Sequence, residues 1–186
     1  MSRTTIETER LILRHWLTAD SEPFAALNAD PRVMEYFPSP LTRKQSDEFI
    51  DRIAAGFVSH GFGLWALELK ATSDFIGFTG LSIPRFDAAF MPTVEVGWRL
   101  ARTAWGSGYA TEAARASIRE GFERYDLQEI VSFTYEGNMP SRAVMERLQM
   151  TREPGEDFDH PSLVGDRLAP HVLYRMPADR WAAGAR

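Results

Sequence analysis

The run Trp105-Gly106-Ser107-Gly108-Tyr109-Ala110-Thr111-Glu112 holds the residues best suited by type and spacing to do chemistry. It joins a strand-like run, 94–100, to a helix-like run, 111–124. Two glycines and a serine at such a junction leave main-chain N–H groups uncovered. With the positive end of the helix dipole, those groups make a site for an anion such as a pyrophosphate. A plain helix-entry turn would use the same residues. No Gly-Lys-Ser/Thr follows, and no third glycine completes a dinucleotide fingerprint, so two common phosphate-binding motifs are excluded. Other chemistries are poorly served. There is no cysteine to act as nucleophile or thiolate ligand, and the four histidines, His15, His60, His160 and His171, lack metal-ligand spacing.

The elements that must carry this turn follow from periodicity and breakers. Residues 6–16 alternate Leu11, Leu13 and His15 against Ile12, Arg14 and Trp16, which predicts a strand. Thr18 or Asp20 can cap a short helix through about 28, ended by Asp30-Pro31. Thr42 can cap a longer helix to about 59, with Phe49, Ile53 and Phe57 on one face. Strands over 64–69 and 75–83 are close enough to form a hairpin, and 84–92 is a loop. The strand 94–100, the glycine turn, the helix 111–124 and a strand at 129–135 make a crossover unit, which builds parallel strands. Asn138-Met139-Pro140 opens a helix to about 148 that buries Val144, Met145 and Leu148. Strands at 151–158 and 170–176 form a closing hairpin around the loop 160–166. The sum is an α+β domain with a mixed sheet, spanning 1–186 as one unit.

Composition bounds the class. With 186 residues the chain can bury a full core, and 44% hydrophobic with 25% charged residues is ordinary for a globular protein. No apolar run approaches the roughly 18 residues that a membrane helix requires, and the lead-in 1–5 has no signal-peptide apolar region. A cytoplasmic setting without membrane attachment is the expectation. The net charge of −5 speaks against nucleic acid as partner and fits a neutral or cationic acceptor. A homodimer is the default assembly.

Four pieces occur in an order and spacing that resemble the GNAT acetyltransferase superfamily. They are Glu95-Val96-Gly97-Trp98, Trp105 through Ala110, Asn138-Met139-Pro140-Ser141-Arg142-Ala143-Val144, and Glu146-Arg147-Leu148. The opening Glu9-Arg10-Leu11-Ile12-Leu13-Arg14, the Phe75-Ile76-Gly77-Phe78 strand and the segments His160-Pro161-Ser162-Leu163 and His171-Val172-Leu173-Tyr174-Arg175 are similar to the branch that contains ribosomal-protein N-terminal acetyltransferases. The resemblance covers nearly the whole chain. It implies a mixed, mostly antiparallel sheet whose parallel pair splays apart, with about four flanking helices, and acetyl-CoA, without metal, as donor. It implies that main-chain groups of Trp98, Arg99 and Leu100 pair with the pantetheine arm. Amides from Trp105 and Gly106 through Ser107, Gly108, Tyr109 and Ala110, with Thr111 near them, would hold the pyrophosphate. Asn138 would bond a pantetheine amide, or cap its helix, or both.

Two departures bear on the chemistry. The family's turn often opens with Gln or Arg where this chain has Trp105, so a side-chain contact to phosphate is lost there. Many relatives place a Tyr seven residues after the Asn as general acid, and this chain has Met145, which has no proton to give. Ser141 is the alternative, as acid or as a first-turn hydroxyl. Without cysteine, direct attack of an amine on the thioester within a ternary complex is the simplest scheme. An α-amine titrates near ~7.7–8.0 and a lysine near ~10.4, so the former needs less help to become neutral. Glu95, beside the cofactor, is the candidate base through a water, or a strand carboxylate paired with an arginine. A main-chain N–H of the splayed strand would stabilise the oxyanion. Tyr36, Phe37, Trp65 and Tyr135 are candidates to line the acceptor pocket or to pack in the core, and His160 is a candidate at the pocket's border; the pocket's loops would be 35–41, 84–92 and 159–166. The acceptor is an amine, at a protein N-terminus or on a small molecule such as an antibiotic, a polyamine or an amino-acid-like compound. A non-catalytic coenzyme sensor is the remaining reading.

Overall fold

A computed structural model describes residues 5–184; the lead-in at 1–4 lies outside them. The chain runs β1 (Ile6–Glu7), β2 (Leu11–Arg14), α1 (Ser21–Ala29), α2 (Arg43–His60), β3 (Leu64–Leu69), β4 (Phe75–Ser82), β5 (Glu95–Leu100), α3 (Tyr109–Tyr125), β6 (Glu129–Tyr135), α4 (Met139–Arg147), β7 (Thr151–Arg152), β8 (Phe158–Asp159), β9 (Pro170–Pro177) and α5 (Ala178–Ala183). The strands form a nine-stranded sheet in the order β1-β2-β3-β4-β5-β6-β9-β7, with β8 also beside β9. Every pairing is antiparallel except β5 with β6. That parallel pair needs a crossover, and α3 supplies it.

Two helical layers sandwich the sheet. Ala113, Ala114, Ala116 and Ile118 of α3 are buried with Val96 and Leu100 of β5, Val144, Met145 and Leu148 from the α4 region, and Trp181 of α5. The alanines let α3 lie close to the strands, and each large apolar side chain buried there contributes about 1.5–3 kcal/mol. On the other face Phe24 and Leu27 of α1, Ile53 of α2 and Phe78 of β4 form a second cluster, with Phe49 packed against it. α2 is fixed at both ends. Thr42 and Gln45 exchange side-chain and main-chain hydrogen bonds at its start, and Gly61 ends it with φ +79°.

The structure departs from the sequence expectations in four places. The strand expected over 6–16 is a hairpin, because the Thr8 hydroxyl accepts the Leu11 N–H at 3.0 Å and turns the chain. Trp16 then leaves the strand and donates its indole N–H to Leu64 O at 2.8 Å. Asp20 stands at the start of α1 but does not cap it; its carboxylate takes the Leu17 N–H at 2.8 Å and the Arg14 guanidinium at 2.7 Å. The strand expected over 151–158 is interrupted by a 3₁₀ turn at Pro154–Glu156, leaving β7 and β8 as separate short partners of β9. Proline brings no N–H to a ladder, which explains the break. Finally, α3 begins at Tyr109, two residues before the expected start.

Candidate active site

β5 and β6 meet at a single rung, Glu95 opposite Val131, closed by the Val131 N–H donating to Val94 O at 2.9 Å. Beyond it the two strands have no further pairing, so the C-terminal half of β5 presents a free edge to a gap. Ladder alternation decides which groups face it. Ala101 N–H donates to Ile76 O at 2.9 Å and the Thr79 hydroxyl to Gly97 O at 3.0 Å, so Glu95, Gly97 and Arg99 turn their main-chain groups toward β4. Val96, Trp98 and Leu100 turn theirs to the gap. This corrects the expectation for Arg99, whose main chain is committed to the β4 ladder opposite Phe78. Leu100 O already accepts the Trp105 indole N–H at 2.9 Å, which gives that tryptophan a structural task at the mouth of the gap.

The glycine turn lies just past the end of β5. Gly106 and Gly108 have φ of +76° and +81°, a region that side-chain-bearing residues avoid. A Cβ on Gly106 would meet nothing within 4 Å, so glycine is required there for conformation and not for room. Gly108 occupies the N-cap of α3 and has no side chain to cover the helix start. The first-turn N–H groups, from Tyr109 to Thr111, have no carbonyl one turn earlier to receive them. The turn is braced from 97 residues away: Arg10 Nη1 donates to Ser107 O at 2.9 Å, and its Nε to Glu112 Oε2 at 2.7 Å. Arg10 also lies 4.7 Å from the centre of the Tyr109 ring. Burial acts to raise the Glu112 carboxyl, but hydrogen bonds from Thr8 and Arg10 outweigh it and hold the group below the usual carboxylate range. Periodicity and spacing gave Arg10 no such role; only the opening Glu9-Arg10-Leu11 pattern marked it.

Asn138 is buried at the entry to α4. Its Oδ1 accepts the Ser141 N–H at 3.2 Å and its Nδ2 donates to Thr134 Oγ1 at 2.9 Å, so it caps the helix and ties it to β6. Ser141 is half-buried in the first turn. Met145 is 1% exposed inside the core, so that position is part of the packing and not of a reaction centre. Tyr135, at the end of β6, stacks with Tyr36 at 6.2 Å between ring centres.

Glu95 opens into a cavity of about 380 Å³ between α2 and the β3–β5 region, lined among others by Phe37, Phe49, Arg52, His60, Ser82 and Arg99. Burial pushes the Glu95 carboxyl up to about 8, against a hydrogen bond with Ser82 that pulls it down. At neutral pH the group is therefore mostly protonated, and above pH 8 it is a base in low dielectric. Of the five aromatic and histidine candidates, Phe37 lines this cavity. Trp65 does not: it is fully buried in the core, which corrects its assignment. His160 packs instead in a cluster with Phe86, Phe133, Phe158 and His171, its ring 4.5 Å from that of Phe86. Burial lowers the pKa of both histidines. Arg52 and Ser82 were not marked in the sequence, and His60 only as a histidine without metal-ligand spacing; they come from two elements whose juxtaposition no local pattern announces. A wider groove of about 730 Å³ borders Ser107 and Tyr109, walled by Arg14, Asp20 and Glu68, whose charges satisfy one another.

Among the described residues no group of three or more His, Asp or Glu side chains could hold a metal, and no helix is long and apolar enough to cross a membrane. The arrangement suits an extended ligand with amides for the strand edge and a diphosphate for the uncovered helix start.

An open edge between two parallel strands, with a glycine-lined helix start at its mouth, is the arrangement that the resemblance to acetyltransferases implies. The sequence profile of the acetyltransferase (GNAT) domain matches residues 10–151. The chain belongs to the GNAT acetyltransferase family and is an acyltransferase; the family uses acetyl-CoA and acts on an amine acceptor. It is 31% identical over 150 residues to the uncharacterized protein YkkB of Bacillus subtilis, covering 80% of this chain and 86% of that one. An acetyltransferase structure from Agrobacterium tumefaciens superposes with a TM-score of 0.77 at 29% identity, covering 95% of each chain. A ribosomal-protein-S5-alanine acetyltransferase from Vibrio fischeri shares the fold, with a TM-score of 0.74 at 19% identity over 96% of this chain and 98% of that one.

Proposed function

We propose that residues 1–186 act as one N-acetyltransferase domain in which a primary amine, held over Glu95, attacks acetyl-CoA directly. Bound acetyl-CoA supplies the acetyl thioester. The free edge at Trp98 and Leu100 pairs with the pantetheine amides, and the amides from Gly106 to Thr111 hold the diphosphate. Asn138, whose carbonyl and amide are already fixed by Ser141 and Thr134, presents its remaining hydrogen-bonding capacity to the same arm. Glu95 removes a proton from the acceptor, through a water, and positioning of both substrates supplies much of the rate. Ser141 is the available hydroxyl for the departing thiolate, since Met145 is sealed in the core.

The single observation that carries this reading is the place of Glu95. It sits on the last rung before the strands part, in a cavity, with its carboxyl raised to about 8. A base poised near the working pH is what amine deprotonation needs. The test is release of free thiol from acetyl-CoA across a panel of amines, with wild type and Glu95→Gln. Turnover on at least one amine that depends on Glu95 supports the reading. Tight coenzyme binding with no turnover on any amine leaves a coenzyme sensor instead.

A further inference from the structure

Arg99 is a largely buried cation without an anion of its own. Its Nη1 donates to Asn28 Oδ1 at 2.6 Å, and its guanidinium carbon lies 4.1 Å from the centre of the Phe37 ring. Phe49 and Phe78 complete an aromatic surround, each at 5.6 Å. Its Nε has no hydrogen-bond partner. Among the described residues no carboxylate lies within ion-pair distance of Arg99. The contrast with Arg14 is sharp, because that arginine is held by both Asp20 at 2.7 Å and Glu68 at 2.6 Å. Burying an unpaired charge is costly, and a neutral amide with three rings offsets only part of that cost. Desolvation lowers the Arg99 pKa to about 10, so it keeps its charge at neutral pH.

Arg99 lines the same cavity as Glu95, and so do Arg52 and Arg85, neither of which has an ion pair among the described residues. Among the described residues, Glu95 is the lone carboxylate in that lining. Three arginines against one carboxylate make this lining locally cationic in a chain of net charge −5. Its volume of about 380 Å³ is that of a small-ligand site.

Resting on the reading of this cavity as the acceptor site, we propose that the acceptor amine carries a carboxylate, which pairs with Arg99 and is attracted by Arg52 and Arg85. The carboxylate can belong to a free amino-acid-like molecule or to an acidic side chain beside a peptide N-terminus. The guanidinium of Arg99 matches a carboxylate in shape and charge. The same positive charge disfavours a polycationic acceptor. It also disfavours the ammonium form of the bound amine, and so helps produce the neutral nucleophile.

The experiment compares matched pairs under steady-state thiol release: glycine and alanine against their carboxamides, acid-headed against amide-headed tetrapeptides with amidated C-termini, and spermidine as a cationic control. In the wild type, the acid member of a pair should be preferred by at least about tenfold in kcat/KM, carried mainly by KM. The free amino acids or the peptides will show the larger preference, which identifies the source. Arg99→Gln should reduce the preference to below about threefold, and Arg99→Lys should restore part of it. Equal or better use of the amides, or spermidine as the best acceptor, overturns the proposal while leaving acetyl transfer intact. No turnover on any amine, with coenzyme still bound, overturns the catalytic reading and this proposal with it. The wild-type comparison stands whether or not the Arg99 variants fold.

Discussion

The free edge with its glycine turn and the cavity under α2 share strand β5, yet they are made of different materials. The first is built from main-chain groups: the edge at Trp98 and Leu100 and the uncovered amides that follow Gly106 and Gly108. The second is built from side chains that arrive from α2, β4 and β5, with Glu95 and Arg99 projecting from the same face. Main-chain recognition tolerates a change of side chain, as Trp105 at the head of the turn illustrates, provided the φ values survive. Side-chain recognition changes with every substitution. On the proposed function, this difference would put the shared chemistry in one half of the site and the individuality of this enzyme in the other.

The sharpest way to break the comparison is Glu95→Gln. Loss of a general base should lower kcat/KM for the amine by about 10²-fold or more, with the KM for acetyl-CoA nearly unchanged. The pH profile separates base from spectator. Glu95 accepts a proton only when ionised, so activity rises with pH and levels off above about 8. With an acceptor whose amine titrates near ~10.4, that limb should vanish in the variant. Stability moves the other way. The folded protein holds this proton up to about pH 8 while the unfolded chain releases it in the ordinary carboxylate range, so Glu95 costs stability increasingly as pH rises through that window. Glu95→Gln should therefore raise Tm by about 2 °C or more at pH 9 and leave it unchanged at pH 4.

Next in size is Gly108→Val. A β-branched residue at φ +81° is strained by about 1–3 kcal/mol, and distortion of the turn should raise the KM for acetyl-CoA about tenfold while acceptor KM holds. If acceptor KM moved equally, the two halves would not be separable. Trp105→Phe removes the indole bond to Leu100 O and should change coenzyme KM by less than about threefold. The smallest effect belongs to Glu112→Gln. Hydrogen bonds from Thr8 and Arg10 hold this carboxylate below the usual range, so its contribution is present at neutral pH and is lost as pH falls through its folded value. The variant should lose about 1 kcal/mol or less at pH 7, measured by denaturant unfolding, and converge with wild type in acid.

The fold was legible wherever local pattern and local structure coincide. β3 and β6 run over the residues that alternation and β-propensity mark, and Thr42 and Gly61 bound α2. The errors fall where one side chain overrules a pattern: Thr8 turning a strand into a hairpin, Pro154 interrupting another, Asp20 preferring Arg14 to its own helix. The glycine turn was legible because its signal lies in one stretch of chain. The cavity was legible only in part. Glu95 and Phe37 were marked for the acceptor site, but Arg52, Ser82 and Arg99 are separated by long intervals, and nothing in their neighbourhoods tells that their side chains face the same space. Trp65 was misplaced for the same reason, since an aromatic residue beside a site and one beneath it look alike in sequence.

The lone Glu95–Val131 rung makes the sheet two leaves, β1 to β5 and β6 to β9, joined along a seam that is closed at one end and open at the other. A molecule lying in that seam would become an extra strand, stitching the leaves together with bonds the empty protein lacks. Substrate and scaffold are then one object: resistance to heat should climb with coenzyme concentration, and a cell short of the donor would hold this enzyme in its most fragile form.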